Sequence, residues 1–277
     1  MAQRKVAFIT GASRGIGRGC ALELAKRSFD LVLTARTVTG QEKYEHSATV
    51  KKSATEPLPG SLERTAMEVE GVGVDTLVVK LDLSQRDDWP AAIEAAKGRF
   101  GRIDVLVNNG RYIGPGHMDP FEETPVELIE QMILCNVTAP LHLVKLCLPI
   151  MKQQGGGIVI NVTSSAGDVE TPKMIGEGGW GLGYSVSKAA FNRMVPGLAK
   201  ELRQHNIAVV GLMPGFVGTE RMAIELGEFG FDAKKALPVD NPGHVCAMLA
   251  TAKEPLYFSG RHVYGPTFFD DHRMVTF

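Results

Sequence analysis

The sequence predicts an α/β protein, a doubly wound, mostly parallel sheet with helices on both faces. Three observations carry this expectation. Short apolar runs alternate with helix-patterned segments from one end of the chain to the other. The apolar runs are not interleaved with polar residues, so the strands are covered on both faces. The chain has 277 residues, 44% hydrophobic and 22% charged, with no internal repeat and no clean linker, which suits a single domain spanning 1–277.

The elements follow in order. Residues 5–10 read as a buried strand closed by Gly11. Residues 15–27 place Ile16, Cys20, Leu22, Leu24 and Ala25 at helical spacing. Strands follow at 31–35 and, rich in Val and Leu, at 75–80. Residues 88–99 form a helix with Trp89, Ile93 and Ala96 on one face, and 103–107 a fourth strand. Residues 125–151 are helical in two pieces, with Pro140 near the joint. Then come a strand at 157–162, a long helix at 184–204, a strand at 207–212, a helix at 241–251 and a last strand at 261–264. One interval breaks the rhythm: 37–61 holds Gly40, Pro57, Pro59, Gly60, several charges and little apolar content, and reads as a surface insertion.

Composition excludes several classes. Lys plus Arg is 30 against 31 for Asp plus Glu, a net charge of −1, so there is no bulk attraction to nucleic acid or an anionic membrane. No stretch reaches the roughly 20 consecutive apolar residues of a membrane span. The N-terminal apolar stretch is too short for a signal-peptide core. Cys20, Cys135, Cys147 and Cys246 form no CxxC pair, and the seven histidines form no HExxH or metal-binding spacing. A cytoplasmic protein without disulfides or a metal is expected. With no GxSxG elbow, serine-hydrolase chemistry is disfavoured.

Two motifs carry chemistry. Thr10-Gly11-Ala12-Ser13-Arg14-Gly15-Ile16-Gly17 joins the first strand to the first helix. Glycines let a pyrophosphate approach the backbone, and the helix start offers free N–H groups and a positive dipole end. Taken alone, the same turn serves as a plain strand-to-helix connection. It lacks the Gly-Lys-Ser/Thr ending of an NTPase phosphate loop. Further on, Tyr184 and Lys188 in Tyr184-Ser185-Val186-Ser187-Lys188 share one helix face. A tyrosine with an ordinary pKa near ~10 is a poor base at neutral pH, and a nearby ammonium favours the phenolate. Such a pair makes an acid/base unit for a carbonyl being reduced.

With these motifs in this order, the chain resembles the short-chain dehydrogenase/reductase family over nearly its whole length. The resemblance implies a Rossmann-type fold, a nicotinamide cofactor and interconversion of a ketone or aldehyde with an alcohol. Gly11, Ser13, Arg14, Gly15, Ile16 and Gly17 become the cofactor turn. NAD-preferring members carry an acid near the position of Ala35; here none is present and Arg36 follows, so Arg14 and Arg36 point to a 2′-phosphate and to NADP (NADPH). Asp82 and Leu83 resemble the adenine-contacting pair, with Asp82 equally readable as a helix cap. Asn108-Asn109-Gly110-Arg111 matches the family's Asn-Asn-Ala-Gly turn in its asparagines, with Asn109 and Gly110 beside the cofactor. Arg111 replaces a small residue and reaches either a phosphate or the substrate mouth.

The resemblance also implies a catalytic set. Ser164 is the serine that holds the substrate oxygen, with Thr163 and Ser165 as one-residue alternatives. Tyr184 is the acid/base, and Lys188 lowers its cost of ionisation and holds the cofactor ribose, so both also count as cofactor-binding. Asn136 resembles the asparagine that keeps a water behind the lysine. Pro214, Gly215, Val217 and Thr219 form the turn that meets the nicotinamide carboxamide and pyrophosphate. The insertion is similar to that of hydroxysteroid-dehydrogenase-like members. A homodimer or homotetramer through 125–151 and 184–204 is implied. A non-catalytic NADP-binding regulator on the same fold is the alternative, against which Ser164, Tyr184 and Lys188 argue.

The segments 168–183 and 219–231 are expected to wall the substrate pocket. The first carries Gly176, Gly178, Gly179, Gly181 and Gly183 with Met174, Ile175, Trp180 and Leu182; the second carries Met222, Ile224, Leu226, Phe229 and Phe231. Glu170, Glu177, Glu220 and Glu225 meet few cations there, which points to a neutral, largely apolar carbonyl or alcohol substrate. Alternatively these apolar residues pack on the core or on a neighbouring subunit, as Phe268, Phe269 and Phe277 do if they are interface residues.

Overall fold

The computed structural model describes residues 3–169, 173–175 and 177–268. Glu170, Gly176, Phe269 and Phe277, named above, lie outside the described residues. Seven strands form one parallel sheet: β1 (Val6–Thr10), β2 (Asp30–Ala35), β3 (Thr76–Lys80), β4 (Val105–Asn108), β5 (Gly157–Val162), β6 (Ile207–Met213) and β7 (His262–Tyr264). Their order is β3-β2-β1-β4-β5-β6-β7. Phe8 of β1 stands opposite Val32 on one side and Leu106 of β4 on the other. The winding reverses between β1 and β4, and the crevice at their carboxyl ends is where such sheets bind ligands.

The helices are α1 (Gly15–Lys26), α2 (Leu62–Glu70), α3 (Asp88–Phe100), α4 (Val126–Ile133), α5 (Ala139–Gln153), α6 (Leu182–Leu202) and α7 (Asp240–Thr251). Alternate strand residues feed two cores. Ala7, Ile9, Leu31, Leu33, Val210 and Leu212 pack with Leu24 of α1, Val69 of α2 and Leu249 of α7. Val6, Phe8, Val32, Leu106 and Val209 pack with Trp89 of α3, Leu143 of α5 and Leu202 of α6. Each such side chain contributes about 1.5–3 kcal/mol by leaving water. The two edge strands are the exceptions to two-sided burial: β3 is half-buried with Lys80 exposed, and β7 buries only Val263.

Three features differ from the sequence expectations. α2 was not foreseen; Ser61 Oγ caps it by accepting from the Arg64 N–H at 3.1 Å, and Leu62, Ala66 and Val69 face the core. The interval 37–61 has no strand or helix, yet its middle is not on the surface: His46, Ser47, Ala48 and Thr49 are buried. Polar groups can sink there because they find partners. Thr49 Oγ1 and the Val50 N–H both bind the Asp119 carboxylate, and the Met118 N–H donates to Ala48 O at 3.0 Å. The interval is a strap lying over the carboxyl ends of the strands.

Finally, the run Val126–Gln153 is long and apolar enough to cross a membrane by length and composition, although no such stretch was expected. Here Met132, Cys135, Ala139, Leu143 and Cys147 of this run are buried within the protein. The joint falls where Pro140 predicts it. Lacking an N–H, Pro140 cannot bond the Asn136 carbonyl four residues back. The chain widens into a π turn, Leu134–Thr138, just before it.

Candidate active site

The glycine turn lies at the switch point between β1 and β4. A Cβ on Gly17 would stand 2.2 Å from Gly11 O, so only glycine lets α1 approach the turn this closely. Gly15 has φ +54°, a left-handed conformation, and its face meets Thr219. Asn109 holds the turn, its side-chain amide donating to Thr10 O at 2.9 Å and Gly11 O at 3.2 Å. Thr10 Oγ1 accepts from the Asn109 and Gly110 N–H groups at 3.0 and 2.8 Å. The Gly15 N–H donates to Glu220 Oε2 at 3.0 Å. A carboxylate thus stands at the positive end of α1, where a phosphate oxygen would be favoured.

A cavity of about 300 Å³ opens beside this turn. Gly11, Ser13, Gly15 and Ile16 line it, as do Asn109, Gly110 and Thr219. Its outer corner holds Arg14 and Arg36 with Asp82 and Leu83. Arg36 lies 4.7 Å from the Tyr44 ring centroid. Arg14 is held by the strap: its Nε donates to Pro59 O at 2.8 Å, and its Nη2 to Leu58 O and Gly60 O at 3.1 and 2.9 Å. Glu42 also lines this corner, but its oxygens accept from the N–H groups of Val38, Thr39 and Gly40. Desolvation pushes its carboxyl up, and these backbone bonds outweigh it, leaving the pKa at about 2. Asp82 caps its own turn by accepting from the Ser84 N–H and hydroxyl at 2.9 and 2.8 Å while still facing the cavity. The cradle fits a dinucleotide: the backbone approach is open only because of glycine, and an anion is already drawn to the helix start.

Lys188 and, through Asn192, Ser164 come together where α6 crosses the end of β5. Tyr184, Lys188 and Asn192 fall one turn apart on a buried face. Lys188 Nζ donates to Val162 O at 3.0 Å. Burial, then the like charge of Arg111, pulls the Lys188 pKa down to about 7. Asn192, missed in the sequence, donates to Ser164 O at 2.8 Å and Asp168 Oδ2 at 2.9 Å and accepts from the Ser164 N–H at 3.4 Å. Ser164 Oγ accepts from the Ala166 N–H at 3.3 Å. Of its alternatives, Thr163 is buried with its hydroxyl 3.4 Å from His262 Nδ1, and Ser165 is exposed. Asn136 accepts from the Tyr112 N–H at 2.7 Å and donates to Ser187 Oγ at 2.9 Å, so its amide reaches the neighbour of Lys188.

Pro214, Gly215 and Val217 form the turn behind Thr219 and, unlike it, do not line the cavity. The turn is pinned by the Gly218 N–H donating to Leu237 O and the Leu237 N–H to Phe216 O, both at 2.8 Å.

Arg111 links the cavity to the catalytic face. It lines the cavity, and its guanidinium carbon lies 5.6 Å from the Tyr184 ring centroid. Its Nη1 donates to Tyr112 O at 3.0 Å and to His117 Nε2 at 2.9 Å. Burial holds the His117 pKa well below the ordinary value, so the ring is neutral and its Nδ1–H donates to Gly114 O at 2.9 Å. The His117 ring stacks on Tyr112 and tilts toward Tyr184 at 5.4 Å; Trp180 meets Tyr184 at 4.8 Å.

The expected pocket walls are partly assembled. Trp180, Met222, Leu226, Phe229 and Phe231 join one apolar cluster with Phe216, whereas Met174, Leu182 and Ile224 are exposed. The expected unpaired carboxylates are not there: Glu220 binds Gly15, Glu225 binds both Arg221 and His46, and Glu177 is exposed to solvent. No local spacing announces the pairing of Glu220 with Gly15 or of Glu225 with His46, because those partners lie far away in sequence.

The fold, with its glycine turn at the switch point, is of the class found in nicotinamide-dependent oxidoreductases. The sequence profile of the short chain dehydrogenase family matches residues 48–227. An uncharacterized oxidoreductase of Staphylococcus saprophyticus is 32% identical, with 78% of this chain and 80% of that protein aligned. Cyclohexanol dehydrogenase of a Rhodococcus species is 29% identical over 82% of this chain and 79% of that one. Among solved structures, a metagenomic short-chain oxidoreductase in complex with NADP superposes with TM-score 0.71 at 27% identity, covering 95% and 96% of the two chains. A 7α-hydroxysteroid dehydrogenase complexed with NADH and 7-oxo glycochenodeoxycholic acid shares the fold, with TM-score 0.75 at 22% identity over 95% and 92%. The chain belongs to the short-chain dehydrogenase/reductase family, oxidoreductases that act on alcohols and ketones.

Proposed function

We propose that this chain is an NADP-dependent oxidoreductase that interconverts a ketone or aldehyde with an alcohol, using Ser164, Tyr184 and Lys188. The observation that carries it is the buried Lys188 ammonium, four residues after Tyr184 and bonded to the β5 end beside Ser164. Burying an ammonium is costly, and its place one helical turn from Tyr184 serves proton transfer as well as the cofactor ribose. When bound, the cofactor supplies the hydride for the carbonyl carbon in reduction and takes it back in oxidation. Tyr184 gives or takes the proton at the oxygen, Ser164 orients that oxygen, and Lys188 stabilises the phenolate. Asn136 anchors α6 at Ser187, and Asn192, on α6 itself, ties the helix to Ser164 and Asp168. The turn at Pro214, Gly215, Val217 and Thr219 holds the cofactor's nicotinamide end.

NADP over NAD is supported by Arg36 in the outer corner and by the engagement of both Glu42 oxygens with backbone N–H groups, which competes with any use of Glu42 for ribose hydroxyls. Arg14 acts mainly by fixing the strap. Of the two solved structures above, the metagenomic oxidoreductase is complexed with NADP and the 7α-hydroxysteroid dehydrogenase with NADH, so the preference rests on this chain's own corner. An apolar substrate body is supported by Trp180, Phe216 and Phe231 near Tyr184. A reducing, cytoplasmic setting is part of the reading; all four cysteines are buried and unbridged. So is a homodimer or homotetramer, for which α5 and α6 offer a groove containing Leu141, Leu148 and Leu198. The test is NADPH oxidation with a panel of carbonyl compounds. Turnover lost in Tyr184→Phe supports the mechanism, and full activity in that variant rejects it.

A further inference from the structure

The inner end of the cleft holds more positive charge than alcohol–carbonyl chemistry requires. Arg221 is only 5% exposed, yet it lines the same cavity as Arg111. Its Nη2 donates to His46 O at 3.1 Å, and its Nε lies 2.8 Å from Glu225 Oε2. Its Nη1 is buried with no hydrogen-bond partner among the described residues. An unpaired buried guanidinium donor is costly unless a ligand supplies the acceptor.

Neighbouring charges do not cancel this excess. Arg111 bears on both other cations: burial and then Arg111 pull the Arg221 pKa down to about 10, and burial and then Arg111 pull down Lys188. The carboxylate of this group, Glu225, is already shared between Arg221 and His46. His117 is neutral and accepts from Arg111. Beside these cations lies the apolar cluster of Trp180, Phe216, Phe231 and Met222.

We infer that Arg111 and Arg221 form an anion-binding subsite beside Tyr184, which takes the carboxylate of an amphipathic oxo acid or hydroxy acid. This rests on the oxidoreductase reading above and replaces the neutral substrate expected from the sequence. Planar guanidinium groups match a carboxylate through paired, charge-assisted bonds. A cofactor phosphate presents the same chemistry. The substrate is favoured because Arg111 stands over the ring of Tyr184, the group that moves the proton at the reacting oxygen.

Benzoylformate and its methyl ester test the subsite, because they share ring and ketone and differ in charge. With NADPH and the wild-type chain, kcat/KM for the acid should exceed that for the ester by about tenfold or more, the scale of a charge-assisted bond. Arg221→Met should bring the ratio near one by raising KM for the acid. A second readout needs no turnover: calorimetry should show benzoate binding about tenfold tighter than benzamide, with the difference lost in Arg221→Met. If Arg221→Met does not fold, Arg111→Met takes its place in both measurements.

Equal use of acid and ester, with equal binding of benzoate and benzamide, overturns the subsite. So does a loss of NADPH affinity in Arg221→Met as large as the loss for benzoate, which assigns the cations to the cofactor's phosphates. If neither ketone oxidises NADPH while benzoate keeps its Arg221-dependent preference, the subsite stands and the reductase reading fails.

Discussion

The two ends of the cleft are built by different means. At the outer end the chain works through its backbone: Gly11, Gly15 and Gly17 let α1 and its N–H groups approach a ligand, and Asn109 and Thr10 brace the turn. At the inner end it works through side chains drawn from separate segments: Arg111 and His117 after β4, Tyr184 and Lys188 on α6, Arg221 and Glu225 after β6, and His46 from the strap. A backbone cradle tolerates many changes around its glycines. In the side-chain cluster, removing Glu225 or Arg221 leaves another buried charge without its partner. Cofactor binding and substrate choice should therefore respond to different mutations.

Tyr184→Phe gives the sharpest separation. It should cost about 10²–10⁴ in turnover, the usual worth of a positioned acid/base, while NADPH titration changes little. Loss of NADPH binding alongside turnover would mean that the two ends are not independent. Next, Arg36→Ala should weaken NADPH by about 1–3 kcal/mol and barely affect NADH, measured by titration with each cofactor. Equal affinity of the wild-type chain for both cofactors removes the assigned role of the outer corner.

Lys188 gives a third effect, read as stability against pH. Its pKa is about 7 in the fold and near ~10.4 in an unfolded chain. Between these values the unfolded chain holds the additional proton, so this group makes stability rise with pH across that window. Its burial cost is largest below about 7 and gone above the unfolded pKa. Urea midpoints from neutral to alkaline pH should lose this rising component in Lys188→Met; an unchanged slope would mean that the ammonium is better solvated than its burial indicates.

The smallest effect belongs to Glu220. Removing its carboxylate from Gly15 in Glu220→Ala should tighten NADPH by about 0.3–1 kcal/mol, the worth of a charge at a helix start. Weaker binding in the variant would show that Glu220 helps to hold the cofactor instead of competing with it.

What could be read in the sequence divides along the same line. β5 falls on the expected residues, because Gly157 and the apolar run to Val162 are local signals. The same holds for the glycine turn and for Tyr184 with Lys188, where spacing alone places groups on one face. α2 has a local signal, since Leu62, Ala66 and Val69 repeat at helical spacing behind a capping serine, but nine residues directly after a long polar interval make that signal weak. The membrane-length run escaped a count of consecutive apolar residues, since Glu130 and Lys145 interrupt it. The burial of His46 and Thr49 was not legible, because their partners Glu225 and Asp119 are remote in the chain. The pairing of Glu225 with Arg221 is an ordinary four-residue helical spacing, yet nothing local tells that both are buried.

The strap touches both ends of the cleft, through Arg14 at its exit and through His46 at its middle. A segment without regular structure opens more readily than the sheet beneath it. Any ligand that needs the strap closed must stabilise it by mass action, by about 2.7 kcal/mol at a hundredfold excess over its dissociation constant. Cleavage by a protease between residues 37 and 61 should then slow by up to about a hundredfold as ligand saturates the protein. Resistance of this one segment to digestion would report occupancy of the cleft, even for a ligand that is never turned over.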